Sequence, residues 1–172
     1  MLVDTAPHRS AHSRRPLPPD HDRRERVVVV GYDGSRHAGH AVDAAAQRAG
    51  PRGTVLAVHV LPPAPSHLGT PYYERAVEES HRRGRQILRR LRRERPSGPR
   101  VETELIHGTP AEALARLARS RNANEIVVGS RGLGRWRALF GKSVSHEVLR
   151  LADRPVLVVP PGATGVGGGR PG

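Results

Sequence analysis

The chain has 172 residues, 29 Lys and Arg against 16 Asp and Glu (formal net charge +13), no cysteine and 3% aromatic residues. That length suits one domain burying roughly two-thirds of its unfolded surface. The absence of cysteine excludes a disulfide framework and thiolate metal sites, and the scarcity of aromatics excludes the stacking platform of a single-strand binder.

No segment approaches the ~18 consecutive apolar residues of a membrane span. Residues 1–26 hold six arginines and no apolar run of the secretory type. The chain therefore reads as cytoplasmic, with no membrane partner. Charge concentrates in residues 71–95, where nine arginines face four carboxylates. Such a face attracts nucleic acid, polyphosphate or acidic partners, although a solvated helix face is the commoner outcome.

Residues 1–25, with Pro16, Pro18, Pro19 and mixed charge, read as a disordered arm, and the Gly-rich residues 161–172 as a tail. The folded domain is expected over 26–160. It opens with RVVVVGY (26–32), a continuous valine run typical of a strand covered on both faces. Ser35 then caps a helix whose apolar face is Ala38, Ala41, Val42, Ala45 and Ala49. TVLAVHVL (54–61) is a second strand.

A proline-rich loop leads to a long helix over about 72–95. Its expected buried stripe is Tyr73, Ala76, Val77, Ser80, Gly84, Ile87, Leu88 and Leu91. RVETELI (100–106) alternates apolar and polar residues, as an edge strand does. Thr109, Pro110 and Glu112 then form a helix start with a capping box. EIVVGS (125–130) is a fourth strand, residues 143–153 a short helix, and PVLVVP (155–160) a fifth strand. This alternation predicts an α/β, Rossmann-like domain, a five-stranded parallel sheet with helices on both faces. Ligands then bind beyond the carboxyl ends of the strands, where the strand order reverses.

GKS at 141–143 resembles the end of a phosphate-binding P-loop, but that motif requires a first glycine at 136, which is Trp136. The preceding strand also ends about 13 residues before the helix starts, which makes the loop too long. An anion site of another kind is still compatible with the segment. Gly129 and Gly132 permit close backbone approach, Ser143 stands at a helix N-terminus, and Arg131, Arg135, Arg137 and Lys142 add cations. A plain turn with solvated arginines fits the spacing equally well.

Four segments in order carry a family resemblance: VVVVGYDGS, LAVHV, HGTPAEAL, and VVGSRGLG with SVSHEVL and RPVLVVP. Over 26–160 the chain resembles the universal stress protein domain. The resemblance implies strand order 3-2-1-4-5, homodimerisation, here through strand five (Pro155 to Val159), and, in one branch, ATP bound between strands one and four. That branch carries G-x2-G-x9-G-[ST]; Gly129, Gly132 and Ser143 match it, and Lys142 replaces the third glycine.

Asp33 matches the aspartate that contacts adenosine, Val60 the residue whose backbone meets adenine, and Val128 a residue lining the nucleotide. Gly108 at the mouth of strand three, Arg131 and Val144 complete the implied set. Lys142 either spoils the close approach that glycine permits, or sits in a helical turn where its N–H and ammonium still favour phosphate; the negative φ of helix N-termini favours the latter.

The expected function is thus a stress-response protein binding ATP or a related adenine nucleotide, with or without magnesium. Catalytic residues and resident metals are not expected. His37 and His40 lack a third ligand, and Ser143, Ser145 and His146 lack a nucleophile elbow. His59 and His107 could line the cleft. The alternative is a nucleotide-free interaction module for protein or nucleic acid, acting through the arginine-rich second helix.

Overall fold

The computed structural model describes residues 25–61, 63, 69–95, 97–130 and 144–161. Among these residues nine elements follow in order: β1 (Val27–Gly31), α1 (Arg36–Ala49), β2 (Thr54–Leu61), α2 (Thr70–Glu94), β3 (Arg100–His107), α3 (Pro110–Ser120), β4 (Glu125–Gly129), α4 (Val144–Leu151) and β5 (Val156–Val159). The strands form one sheet of order β3-β2-β1-β4-β5, and every neighbouring pair is parallel. The order reverses between β1 and β4, which creates the switch point. Most of the expected N-terminal arm and C-terminal tail lies outside the described residues.

The valine runs explain the layering. Successive strand side chains point to opposite faces, so Val28 and Val30 join Val55, Ala57 and Val127 against α1 and α2. Val29 joins Leu56, Val58, Val60, Ile126 and Val128 against α3 and α4. Strands β1 and β4 are covered on both faces, and Val28, Val29, Val30, Ile126 and Val127 are fully buried. The two edges, β3 and β5, are the wetter strands. Among the described residues no helix is long and apolar enough to cross a membrane.

Helix α1 buries the five residues that its spacing picks out. The Ser35 hydroxyl accepts from the Ala38 N–H at 3.1 Å, and the helix stops at Gly50, whose φ of 72° suits glycine. Helix α3 begins at Pro110 as expected, but its capping box is altered. The Thr109 hydroxyl donates to the Glu112 carboxylate at 2.7 Å and does not cap the backbone. The hydroxyl hydrogen is directed at the carboxylate, a strong acceptor.

Helix α2 departs further from expectation. Of its stripe only Gly84, Leu88 and Leu91 are buried, while Tyr73 is 42% exposed and Ala76, Val77, Ser80 and Ile87 are partly exposed. A helix of 25 residues runs about 37 Å, whereas strands of eight residues run about 26 Å. The N-terminal turns of α2 thus overhang the sheet. Closest approach falls at Gly84, where a Cβ would stand 2.6 Å from Leu105 Cδ1.

Candidate functional site

At the carboxyl end of the sheet a small, narrow cleft lies between strand ends and α3. Gly31, Tyr32 and Asp33 line it from the end of β1, Val58, His59 and Val60 from β2, and Pro110 and Leu114 from α3. Parallel connections bring these walls together, because each strand hands its chain to a helix at this same end.

Gly31 keeps the cleft open. Its side-chain direction points to the α3 face, where a Cβ would lie 3.3 Å from Leu114 Cδ1 and 3.9 Å from Val128 Cγ1. Any larger residue would occupy the space bounded by Val58, Val60 and Leu114. The next turn is fixed locally. Asp33 Oδ1 accepts from the Ser35 N–H at 2.9 Å, and Gly34 adopts φ 84°, a conformation glycine takes without strain. Among the described residues the second carboxylate oxygen of Asp33 has no protein partner, so it can accept from a ligand's hydroxyls.

The Tyr32 N–H donates to the Val58 carbonyl at 2.8 Å, and the Tyr32 carbonyl accepts from His59 Nδ1–H at 2.8 Å. His59 is thereby held in the Nδ1–H tautomer. Burial pushes the Tyr32 phenol above its usual pKa, and the nearby Glu94 carboxylate adds to the shift. The ring of Tyr32 belongs to the core beneath α1 and α2, so its backbone, and not its hydroxyl, serves the cleft.

The predicted residues distribute unevenly around this cleft. Asp33 and Val60 line it. Val128, 1% exposed, and Gly129, also buried, lie across the switch point on β4. Beyond them the Ser130 hydroxyl is buried with no hydrogen-bond partner among the described residues. Gly108, at φ 129°, donates its N–H to the Leu61 carbonyl at 3.1 Å, one turn from the cleft wall. Val144 opens α4 and packs on the α3-side core. Arg131, Gly132, Lys142 and Ser143 lie outside the described residues.

Of the two histidines considered, His59 is at the cleft, but His107 turns away. Its Nε2 lies 2.7 Å from His81 Nε2 on α2. The sequence reading missed Gly31, Tyr32, Val58, Pro110 and Leu114. The signal for Val58 was present, since it shares a strand face with Val60. Pro110 and Leu114 could not be found without the topology that folds α3 over β1.

The profile of the universal stress protein family matches residues 25–160. A universal stress protein of Thermus aquaticus, named for its place in a QAH/OAS sulfhydrylase 3′ region, is 37% identical over 136 residues, covering 78% of this chain and 98% of its own. Universal stress protein YxiE of Bacillus subtilis is 31% identical over 147 residues, covering 77% and 97%. Among solved structures, a universal stress protein of Lactobacillus plantarum superposes with TM-score 0.62 at 22% identity, covering 80% and 99%. A universal stress protein in complex with cAMP superposes with TM-score 0.52 at 28% identity, covering 79% and 97%. With the expected strand order in place and the match running from the first strand to the last, the chain belongs to the universal stress protein family.

Proposed function

We propose that this chain binds ATP or a related adenine nucleotide at the carboxyl end of its sheet and acts as a stress-response binding protein. The observation that carries the reading is the cleft that Gly31 keeps open beside Asp33 and Val60. It adjoins the reversal of strand order between β1 and β4, the kind of place where open parallel sheets take their ligands. A relative at 28% identity is in complex with cAMP, an adenine nucleotide.

In this reading the free oxygen of Asp33 accepts from ribose hydroxyls, and the main chain at Val60 meets adenine. Val128 and Gly129 border the β4 side, and Gly108 and Val144 flank the mouth. Arg131, Gly132, Lys142 and Ser143 supply backbone N–H groups and positive charge for phosphates, with magnesium as an optional counterion. No efficient catalysis is proposed. Among the described residues that line the cleft there is no serine, threonine, cysteine or lysine for a general base to activate.

We place the protein in the cytoplasm, as a homodimer through β5. That edge strand leaves Leu157 37% exposed, an apolar side chain on an unpaired sheet edge that a second copy can cover. Calorimetric titration with ATP, cAMP and AMP, with and without magnesium, tests the nucleotide reading. Saturable binding that Asp33→Ala weakens at least about tenfold, the worth of one charge-assisted hydrogen bond, supports it. The absence of heat and of thermal stabilisation at millimolar nucleotide refutes it.

A further inference from the structure

A second concave surface lies between α2 and the outer edge strand β3, away from the nucleotide cleft. It is a shallow groove open to solvent, lined by Arg85, Leu88, Arg89, Arg92, Thr103 and Leu105. Leu88 and Leu105 form its floor. The three arginines stand at i, i+4 and i+7 on one helix face, spread along about 10 Å of helix.

Six of the nine arginines over residues 71–95 make no ion pair among the described residues, and of these Arg85, Arg89 and Arg92 line the groove. Arg83 and Arg90 pair with Glu79 and Glu94 on the helix itself, and Arg95 pairs with Asp43. Among the described residues Arg85, Arg89 and Arg92 make no ion pair and donate no hydrogen bond. No carboxylate lines the groove. Glu102 and Glu104 of β3 alternate with Thr103 and Leu105, so they face the other side of the sheet, where Arg100 and Arg121 take them. The fold has sorted the acidic side chains of β3 away from the groove.

We infer that this groove binds a chain of phosphate groups, each met by one guanidinium. A guanidinium matches phosphate with two parallel N–H donors, and a phosphate chain offers more acceptor oxygens per unit length than a row of carboxylates. No aromatic side chain lines the groove, so bases have nothing to stack on and recognition falls to the phosphates alone. Inorganic polyphosphate satisfies the groove fully, and a single-stranded nucleic acid satisfies it through its backbone. This surface gives the alternative reading, interaction through the second helix, a place and a ligand chemistry, and it is independent of the nucleotide cleft.

The test compares two variants of equal charge. Arg85→Gln/Arg89→Gln/Arg92→Gln strips the groove; Arg75→Gln/Arg82→Gln/Arg93→Gln removes as much charge from exposed positions of the same helix outside it. Binding of labelled polyphosphate and of labelled oligo-dT is followed by anisotropy at about 0.1 M salt. The groove variant is expected to lose at least about tenfold, with the slope of log K against log salt falling by about 2 for oligo-dT. The control variant stays within about threefold of the parent chain. The tighter of the two probes shows which phosphate chain the groove prefers.

Asp33→Ala leaves this binding unchanged, which separates the groove from the nucleotide site. Equal losses in both triple variants would reduce the effect to a diffuse basic field. Polyglutamate binding as tightly as polyphosphate, or binding of neither phosphate probe, would also overturn the inference. Unchanged circular dichroism of each variant shows that losses arise from the groove.

Discussion

Arg48→Ala is expected to destabilise the domain through the carboxylate it leaves behind. Glu125 opens β4 and is 3% exposed, while the Arg48 side chain in the last turn of α1 is 52% exposed. Arg48 Nε and Nη2 donate to the two oxygens of Glu125 at 2.7 and 2.8 Å, and this contact raises the pKa of the guanidinium. Removing one partner of a fully buried pair costs about 3–5 kcal/mol. Here water can enter the space that a half-exposed side chain vacates, so the cost falls to about 2 kcal/mol. For a domain of this size each kcal/mol moves Tm by about 3–4 °C, which predicts a drop of roughly 6–8 °C.

Thermal unfolding followed by circular dichroism at neutral pH measures the drop. Arg48→Met/Glu125→Leu, which removes both charges, should recover most of it, because the penalty belongs to the stranded carboxylate. A fall below about 2 °C for Arg48→Ala, or no recovery in the double variant, would show that Glu125 is solvated well enough to need no partner.

Gly31→Val should abolish nucleotide binding while the domain still folds: valine favours strands, its Cβ asks Leu114 to yield only a few tenths of an ångström, and its methyls fill the cleft. Titration together with Tm checks it, and retained affinity would move the ligand elsewhere. Gly84→Leu should cost about 1–3 kcal/mol by overpacking, since even a Cβ meets Leu105, His59 and Leu61 within 3.2 Å; a chemical denaturation midpoint at or above the parent's would mean that α2 shifts freely on the sheet. The Arg154 guanidinium beside Asp153 holds its carboxyl below the usual range. Because the folded pKa is depressed, this contribution is present at neutral pH and lost as pH falls through the folded value. Asp153→Asn should therefore lower Tm at neutral pH, with the difference shrinking on acidification, and a difference that grows in acid would contradict the assignment.

The strands were legible because a continuous valine run over 27–30 has only one economical use, a strand buried on both faces. The cap at Ser35 and the face of α1 were legible because both are local: the hydroxyl and the N–H it receives are three residues apart. At the cleft, Asp33 and Val60 came from a recognised pattern, and Val58 was within reach of simple alternation.

What only the tertiary structure decided depends on distances between elements. The overhang of α2 follows from the length of a helix set against the length of a strand, so its apolar spacing alone overstated its burial. His107 pairs with His81 across 26 residues. The cleft joins Gly31 to Leu114, residues that meet because the chain crosses to the other face of the sheet after β3. The sorting of acidic side chains away from Arg85, Arg89 and Arg92 likewise appears only once β3 lies beside α2. Sequence determined the elements and which face of each is apolar, since those are set within a few residues; the cleft and the groove are spaces between elements, and packing alone creates them.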